Sequence, residues 1–578
     1  MNPTQLKKRI AIIGGGPAGL FLFKKMVEEG NENFTVDIFE AAMQLGSGMP
    51  YSNRGADEEH ITNVSGNEIP SFDIPITSWI TTLPPEKLQR FNIDPAKFSE
   101  YKVFPRLLFG EYLDAQFNLL LEKAAMKGLL VEVRLNTRVT DIIDLPAENK
   151  IRVEVAHQNK LEFDQVIICT GHAWPLTHEG KTKGYFDSPY PPAKIARRFN
   201  HTVALRGSSL TAIDAIRTLA RHNGNFITAA PHKLSFVPHK DAQQFKIAMY
   251  SIKGLLPGIR FHLDDPHLSP PSLLSKEEIR QHMKENNGFV SLDFIFEKDF
   301  KNSLRDKDPL FYDHIKNMRM EEFVDEMMRM RELAEPFALF KAEYEEAKSS
   351  IKRKESVYWK EMLAVLSFSM NYPAKYLSAE DMLRHQKVLM PLISIVIAFA
   401  PQDSCDELIA LHEAGLLDII AVDKQSHIET CDEGGIIYYH TDEAGEEQQR
   451  KYETFIDCTG QKHLSLDDFP FKSIMHDGTL SRATLKFKSP EQAKIQKSKG
   501  TDGIVQTTDN EFYLQVPGIA ITDSFSVKGE NGETNPRIYI MAVPYIGGHN
   551  PDYSGLDFCE EASTTIVAAI FEKVNQPV

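Results

Sequence analysis

A chain of 578 residues is too long for a single hydrophobic core and indicates roughly two to four domains, at about 150 residues each. Hydrophobic residues make up 42% and charged residues 25%, a composition typical of an ordinary globular protein rather than a disordered or fibrous one. The net charge of -16 comes without any concentration of Lys and Arg, which argues against nucleic acid as a partner.

The sequence predicts neither a membrane anchor nor a metal site. The longest apolar run, Val388 to Ala400, contains Pro391 and is shorter than the ~20 residues that a membrane-spanning helix needs. The five cysteines are scattered without a Cys-x-x-Cys pair, which excludes a local zinc knuckle and a dithiol of the usual redox spacing. This use of cysteine fits a reducing compartment, so we expect a cytoplasmic protein.

The most informative segment lies near the N-terminus. Ile10–Ile13 predicts a buried strand that runs directly into a Gly-x-Gly-x-x-Gly pattern at Gly14, Gly16 and Gly19, and Leu20–Val27 predicts the helix that follows. In this pattern the first glycine permits a tight turn, the second lets a pyrophosphate approach the backbone, and the third lets the helix pack on the strand. The segment therefore predicts a dinucleotide-binding site.

Two neighbouring features support the same prediction. The N-terminus of the predicted helix follows Pro17 and Ala18, and its unpaired N–H groups and positive dipole end attract phosphates. Thr35–Phe39 predicts a second strand that ends at Glu40. An acidic residue at this point can accept both hydroxyls of an adenosine ribose, which disfavours a 2′-phosphate there.

Farther along the chain, a strand followed by Thr-Gly occurs twice. Phe163–Gly171 ends in Thr170 and Gly171, and nearly the same phrase returns at Phe455–Gly460. The two copies indicate where the chain crosses between a dinucleotide domain and an inserted segment. A second strand-turn-helix pattern begins at His201 and continues through Gly207.

The remaining elements are helical first and mixed afterwards. Ser275 to His385 is rich in Met, Glu, Lys and Phe with helical periodicity and predicts an inserted helical subdomain. Glu429 to Thr454 predicts a hairpin. Near the C-terminus, the strand Ile538–Met541 precedes a glycine-rich loop, Gly547–Gly555, and a final helix.

Several phrases outside the glycine turn carry a family resemblance. They are Gly48-x-Pro-Tyr-Ser52, His60-x-x-Asn-Val64, Pro105-Arg106 with Gly110-x-Tyr112, and Leu210-Thr-Ala-Ile-Asp214. With these phrases the chain resembles the flavoprotein group that includes FAD-dependent urate hydroxylases and aspartate N-hydroxylase-type monooxygenases. The resemblance covers most of the chain outside roughly residues 260–385.

The resemblance implies an α/β fold of the two-dinucleotide-binding, Rossmann-like, glutathione-reductase type with an inserted helical subdomain. We expect an FAD-binding domain built from residues 1–175 and 455–578, and an NAD(P)-binding-like domain built from residues 176–260 and 386–454. Residues 261–385 would form the helical insertion, with a substrate lid and a packing or dimerisation module as the two alternatives for its role.

The resemblance also implies FAD and a nicotinamide donor, NADPH or NADH. The residues expected at FAD are Gly14, Gly16, Pro17, Ala18, Gly19, Glu40, His60, Asn63, Arg106, Thr170, Gly171, Gly548 and His549. Those expected at the nicotinamide cofactor are Gly207, Ser208, Ser209 and Thr211. The family pattern in this second turn is Gly-x-Gly-Leu-Thr, so Ser209 places a Cβ where close approach is wanted, at little cost if its φ is negative.

Some of these residues have alternative roles. His60 and Asn63 would either hydrogen-bond the flavin or hold their own loop, and Arg106 would either contact an anion or form a structural salt bridge. Asp214 is expected to bond within its own domain. The segment after the second turn, Phe226–His232, is read as the next strand, and it lacks the Ser-Arg-Arg phrase that clamps a 2′-phosphate.

The function predicted is that of an NAD(P)H-dependent FAD monooxygenase acting on a small polar nitrogenous molecule. The missing dithiol argues against the disulfide-reductase branch of these flavoproteins. Two alternatives stay open, a flavin oxidase or dehydrogenase reduced directly by its substrate and a non-catalytic FAD-binding interaction protein. Catalytic residues, substrate identity and oligomeric state are not predicted.

Overall fold

The computed structural model describes residues 7–30, 33–156, 160–229, 233–264, 273–442, 444–552 and 555–574. The strands in these ranges are β1 (Lys8–Ile13), β2 (Phe34–Phe39), β3 (Leu130–Arg134), β4 (Val139–Leu145), β5 (Lys150–Val155), β6 (Leu161–Phe163), β7 (Gln165–Ile168), β8 (Tyr185–Phe186), β9 (Thr202–Arg206), β10 (Gly224–Ala229), β11 (Lys233–Pro238), β12 (Lys246–Ile252), β13 (Leu417–Val422), β14 (His427–Thr430), β15 (Ile436–Thr441), β16 (Glu447–Tyr452), β17 (Thr454–Asp457), β18 (Arg482–Lys486), β19 (Ile504–Gln506), β20 (Phe512–Ile519), β21 (Ser526–Lys528) and β22 (Thr534–Ile540).

The α-helices of the same ranges are α1 (Pro17–Glu29), α2 (Ile76–Ile80), α3 (Pro85–Arg90), α4 (Arg106–Met126), α5 (Leu210–Asn223), α6 (Lys276–Glu285), α7 (Leu292–Ile295), α8 (Asn302–Lys307), α9 (Pro309–Ile315), α10 (Met320–Glu332), α11 (Pro336–Arg353), α12 (Tyr358–Ser369), α13 (Ala379–Arg384), α14 (Met390–Val396), α15 (Gln402–Glu413), α16 (Lys472–His476), α17 (Pro490–Ser498) and α18 (Gly555–Val574). A π-helical segment, Phe296–Lys301, joins α7 to α8. None of the helices in the described part of the chain combines the length and apolar character needed to cross a bilayer.

The first sheet has the strand order β21-β22-β7-β1-β2-β3, and its strands are parallel except for β21. Its inner strands are continuous apolar runs because helices cover both faces of such a sheet. Ile13 pairs with Ile168 in register, so Gly14 and Cys169, the residues that follow these strands, lie side by side at one edge. The C-terminal strand β22 adds to β7, and α18 packs on α1, while Phe571 of α18 also contacts the ring of Phe34 in β2.

The second sheet is fully parallel, with the order β13-β12-β9-β17-β8. In this sheet β9 pairs with β12. Strand β10 lies outside the sheet and pairs antiparallel with β11 in a separate two-stranded ribbon. Phe226–Ala229 is therefore a strand, as the sequence predicts, but it is not part of the parallel sheet. A short segment such as Phe226–Ala229 suits an antiparallel ribbon as well as a sheet strand, and His232 lies outside the described residues.

Both parallel sheets follow one plan. Each has four strands in the order third-second-first-fourth, β3-β2-β1-β7 in one and β13-β12-β9-β17 in the other. In each, a three-stranded antiparallel sheet, β4-β5-β6 or β14-β15-β16, precedes the fourth strand in the chain. The hairpin predicted between Glu429 and Thr454 is present as β15 and β16. This duplication is the two-dinucleotide-binding, Rossmann-like fold that the sequence predicts, and the fold class is confirmed.

The inserted helices do not form a core of their own. Helices α6 to α10 and α12 to α14 share a core with β18–β20, through residues such as Leu366 and Leu514. Helix α11 packs instead on the second parallel sheet, through Phe337 and Phe340.

Strand β17 belongs to the second sheet, so a division of the chain at residue 455 cuts a strand that pairs with β9. We propose placing that boundary after Asp457, with residues 482–519 grouped with the helices.

Candidate functional site

The turn after β1 is shaped to receive an anion. Gly16 is the N-cap of α1, and Pro17 is the first helical residue. The cap makes no side-chain hydrogen bond, and the first turn of the helix holds no acidic residue. The N–H groups of Ala18 and Gly19 therefore lie at a helix N-terminus without a side chain that neutralises them, which is the arrangement that favours bound phosphate.

The three glycines of this turn are required for different reasons. Gly14 has φ of +110°, and a Cβ on it would lie 2.6 Å from the carbonyl oxygen of Cys169. A Cβ on Gly19 would collide with the carbonyl oxygen of Gly14, so the helix can pack on the strand only with glycine there. Gly16 is different, because its Cβ would meet the Cα of Gly48 at 3.1 Å, a contact that a small shift relieves. Gly16 is thus the glycine that the fold needs least.

Glu40 directly follows β2 and is buried beside the turn. Its Oε2 accepts a hydrogen bond from the N–H of Gly15 at 2.9 Å, and its Oε1 accepts one from the N–H of Ala42 at 2.7 Å. These two bonds hold the carboxylate in one orientation at the edge where the parallel strands end. The position agrees with the ribose-binding role predicted for an acid at the end of the second strand.

Thr170 and Gly171 follow β7 at the same edge. Among the described residues, the Oγ1 of Thr170 is buried and has no hydrogen-bond partner. Gly171 is exposed, and a Cβ on it would face open space. A buried hydroxyl without a partner is costly, and a bound polar ligand would satisfy it. The turn, Glu40 and Thr170 together fit a dinucleotide such as FAD.

His60 does not reach this turn. It is 1% exposed, and its Nδ1 accepts a hydrogen bond from the N–H of Asp57 at 3.0 Å. Its Nε2 therefore carries the proton and donates to the carbonyl oxygen of Asp214 and to the hydroxyl of Thr218, each at 3.1 Å. Burial lowers the pKa of the ring. Both nitrogens of His60 are therefore bonded to protein groups, one within its own loop and one in α5 of the second Rossmann domain.

Arg106 lies in the same joint. Its Nη1 is 2.5 Å from Oδ2 of Asp214, and its Nε donates to the carbonyl oxygen of Ile61 at 3.1 Å. The hydroxyl of Tyr190 donates to the same Oδ2 at 2.6 Å. Despite its burial, Asp214 has a lowered pKa, because the charge of Arg106 and the hydrogen bond from Tyr190 favour its charged form. Of the two roles considered for Arg106, the structure shows the salt bridge. Asp214 is expected from sequence to bond within its own domain, but it bonds to Arg106 of the first domain.

The carbonyl oxygen of Asn63 accepts a hydrogen bond from Arg260, which also bonds Ser65 and forms an ion pair with Glu68. The arginine is 7% exposed. Asn63 is thereby part of a loop fixed to the segment that leads into the helices. Sequence reasoning missed Arg260, although a charged residue inside the apolar stretch Leu255–Leu263 is a signal for a buried ion pair.

The turn after β9 repeats the first one. Gly207 has φ of +107°, and a Cβ on it would lie 2.6 Å from the carbonyl oxygen of Cys458, as with Gly14 and Cys169. Ser209 is the N-cap of α5 with φ of -88° and ψ of -162°, close to the values of Gly16. Ser209 is exposed, and it occupies the glycine position without strain because its φ is negative. Thr211 lies in the first turn of the helix, where its Oγ1 approaches Gly460.

The side chain of Ser208 is directed into the protein, toward Leu255 and Ser251. Its hydroxyl donates to the carbonyl oxygen of Leu255 at 2.7 Å and lies 2.9 Å from the hydroxyl of Ser251. Beyond the end of β12, where an NADP-binding protein places a cation, Lys253 forms an ion pair with Glu332 at 2.6 Å. Lys233, the first residue of β11, forms an ion pair with Glu413.

The glycine-rich loop before α18 is packed inside the protein. The N–H of Gly548 donates to the carbonyl oxygen of Pro517 at 2.7 Å, and a Cβ on this glycine would collide with Val516. His549 is 7% exposed, and its Nδ1 accepts a hydrogen bond from the N–H of Ile521. The structure therefore places neither residue at the Gly14–Gly19 turn. Both belong to a loop that joins the first domain to β20.

Two family models match parts of the chain. Residues 11–173 match an FAD-NAD(P)-binding family, and residues 275–397 match a YdhS-like middle domain. The resemblance to FAD- and NAD(P)-binding flavoproteins that the sequence predicts is thus confirmed over the first domain. A curated relative, the uncharacterized protein YdhS of Escherichia coli (strain K12), is 24% identical over 583 residues, which cover 98% of both chains.

Solved structures show distant likenesses over nearly the whole chain. Ornithine hydroxylase (PvdA) from Pseudomonas aeruginosa has a TM-score of 0.48 and 10% identity, covering 98% of this chain and 100% of its own. L-lysine 6-monooxygenase from Pseudomonas syringae has a TM-score of 0.43 and 12% identity, with the same coverage of 98% and 100%. The cadaverine monooxygenase DfoA from Erwinia amylovora, solved with FAD, has a TM-score of 0.43 and 11% identity, covering 99% and 96%.

Proposed function

We propose that the protein is an FAD-dependent oxidoreductase, and specifically an NAD(P)H-dependent monooxygenase of a small polar nitrogenous molecule. The observation that carries the proposal is the duplicated turn. Gly14 and Gly207 have the same backbone conformation, each beside a Cys-Thr-Gly phrase at the end of the fourth strand of its sheet. Two such turns supply one site for a flavin dinucleotide and one for a nicotinamide dinucleotide.

In this proposal the first turn holds FAD. The N–H groups at the start of α1 bind the pyrophosphate, Glu40 accepts the ribose hydroxyls, and the hydroxyl of Thr170 finds its partner on the cofactor. Bound FAD would supply hydride acceptance and oxygen activation, which side chains cannot. The chain's own contribution is to position the cofactor, fix its electrostatics and exclude water.

The second turn holds NADPH or NADH. This assignment is supported by the negative φ of Ser209, which leaves the N-terminus of α5 as open as that of α1. The choice between the two cofactors rests on Lys253, whose ion pair with Glu332 would have to open to meet a 2′-phosphate. We propose Gly207, Ser209 and Thr211 as contacts, with Ser208 shaping the turn from behind.

The state of the cysteines supports oxygen chemistry over disulfide reduction. All five are free, and four are buried. Burial raises the pKa of the Cys169, Cys405 and Cys458 thiols well above the usual value, so they are not thiolates at neutral pH. A reductase needs a reactive dithiol, whereas a monooxygenase does not. Free cysteines also support our proposal of a cytoplasmic location.

One observation keeps a second function open. The hydroxyl of Ser208 is bonded to Leu255 and Ser251 rather than directed to the turn. A second domain that had lost its nicotinamide cofactor would tolerate this bonding of Ser208 and also Ser209 in place of the second glycine of the Gly-x-Gly pattern. The alternatives are then a flavin oxidase or dehydrogenase reduced by its own substrate, or a non-catalytic FAD-binding interaction protein.

Oxygen consumption separates these functions. Purified protein with FAD and NADPH or NADH is screened against small amines, amino acids and purines, and oxygen uptake is measured together with hydrogen peroxide. A monooxygenase consumes oxygen without releasing peroxide when its substrate is present. An oxidase consumes oxygen with its substrate alone and releases peroxide, and an interaction protein does neither.

A further inference from the structure

The helical segment and the C-terminal part of the chain enclose a cavity that the dinucleotide turns do not explain. Its outer part is a cleft of about 450 Å³ lined by Lys375, Thr522, Asp523, Lys528 and His549 among others. An inner recess of about 20 Å³ continues from it, past the same Lys375 and His549, toward α18. The outer volume suits a small metabolite, and the recess has room for one polar group.

Hydrogen-bond donors without partners face this cavity. Asn371 lines the recess and is 9% exposed, and its Oδ1 accepts a hydrogen bond from the N–H of Asp552 at 2.9 Å. That bond fixes the amide orientation and leaves Nδ2 as a buried donor with no partner in the described residues. Because the Nδ1 of His549 accepts from Ile521, its Nε2 is the protonated nitrogen; it makes no well-aligned hydrogen bond with the described residues, and the backbone of Thr484 is its one interaction partner on the cleft wall.

The charged groups of the wall have the matching sign. Asp523 is already satisfied, since it pairs with Lys375 at 3.2 Å and accepts the hydroxyls of Tyr376 at 2.8 Å and Tyr372 at 3.2 Å. Lys276 and Lys528 add two further cations to the cavity. Burial lowers the pKa of Lys375, which Asp523 already pairs, so Lys276 and Lys528 are the cations left for a ligand; burial also raises the pKa of Glu561, the other acid of the wall.

We infer that this cavity binds a small molecule through a carboxylate group. A carboxylate offers two oxygens that only accept, which matches two unpaired N–H donors, and its charge is balanced by the lysines. Because a buried N–H donor without a partner destabilises the protein, a ligand that accepts from both donors is favoured at this site. Asn371, Lys276 and Lys375 come from the helical segment, so this segment selects the ligand. If the proposed function is correct, this ligand is the substrate. The existence of the site does not depend on the proposed function.

Binding of succinate tests the inference without requiring turnover. Isothermal titration of the FAD-loaded protein compares succinate with succinamide, its uncharged diamide of similar size, and with inorganic phosphate. We expect succinate to bind and succinamide to bind at least tenfold more weakly. Tighter binding of phosphate than of succinate, equal binding of the diamide, or no binding of any probe would overturn the carboxylate site.

Two variants locate the site. Asn371→Leu removes the unpaired donor at similar volume, and Lys528→Gln removes a cation at the cleft wall without cutting the core. Each is expected to weaken succinate binding at least fivefold, and Lys497→Gln, at an exposed position of α17, is the matched control with no effect. Unchanged succinate affinity in the first two variants contradicts the inference. FAD content and melting temperature show that each variant is folded, and flavin reduction by NADPH separately tests the proposed function.

Discussion

The joint between the two Rossmann domains depends on one buried carboxylate, and Asp214→Asn tests it. The side chain of Asp214 is 6% exposed and that of Arg106 15% exposed, at a separation of 2.5 Å. The substitution keeps the size of the side chain and one acceptor oxygen but removes the charge. Arg106 is then left buried beside a neutral amide, and the hydroxyl of Tyr190 faces an amide instead of a carboxylate.

The expected cost follows from the burial of this pair. Removing one partner of a buried, hydrogen-bonded ion pair costs about 3–5 kcal/mol, and the retained acceptor of Asn sets the expectation near the lower end, at about 3 kcal/mol. The pair Arg198–Asp241 is the matched control, with a separation of 2.7 Å and side chains that are 43% and 69% exposed. Asp241→Asn should cost no more than about 1 kcal/mol, because solvent screens an exposed pair.

Urea unfolding at neutral pH measures both costs. The pKa of Asp214 is lowered in the folded state, so its contribution is fully present above its ordinary value of 3.8 and is lost only as pH falls below that value. The difference between wild type and Asp214→Asn should therefore stay constant between about pH 5 and pH 8. If Asp214→Asn costs no more than Asp241→Asn, or if the difference fades at mildly acidic pH, the account of the joint is wrong.

Three further changes address the cofactor site and the helical core. Gly16→Ala should leave the fold intact, since its Cβ meets only Gly48 at 3.1 Å, but should weaken FAD binding at least tenfold, as measured by retained flavin; full flavin retention contradicts the placement of the pyrophosphate. Thr170→Val should weaken FAD binding severalfold without destabilising the apoprotein, because the hydroxyl it removes is unpaired there, and thermal melting with and without FAD measures both. The pKa of His385 is lowered from 6.5 to about 4 by burial, so its contribution to stability is present above about pH 6.5 and falls away below it. His385→Leu should reduce the loss of unfolding free energy between about pH 7.5 and about pH 5.5 by about 1.3 kcal/mol, and an unchanged loss in urea titrations would show that His385 titrates normally.

The first domain could be predicted from sequence because its signals are local. The strand, the glycines and the first helix are contiguous, and each glycine has a steric reason within a few residues or at the end of the adjacent strand. The second sheet was harder. Both β10 and β12 are short apolar strands after α5, and only the antiparallel pairing with β11 removes β10 from the parallel sheet. Pairing of that kind depends on tertiary contacts that periodicity does not report.

The contacts between the two Rossmann domains and the cores shared by the helical segment could not be predicted from the sequence, because they also join residues that are far apart in the chain. His60 and Arg106 find their partners in α5, 154 and 108 residues away respectively, so a polar residue beside a flavin phrase could be read as a ligand contact. The helical segment shares its core with β18–β20, which follow it by about a hundred residues. Replacing residues 261–385 by a linker would therefore expose apolar surface in two cores, and point substitutions are the sounder test of the proposed lid.

The central claim is that the duplicated turns hold two cofactors that exchange electrons. Anaerobic titration of the FAD-loaded protein with NADPH and with NADH, followed through the flavin absorbance, tests it most directly. We predict that at least one nicotinamide bleaches the flavin, and that Gly207→Ala, whose Cβ would press on the carbonyl oxygen of Cys458 at 2.6 Å, slows the bleaching while FAD stays bound. A flavin that neither nicotinamide reduces would contradict the account.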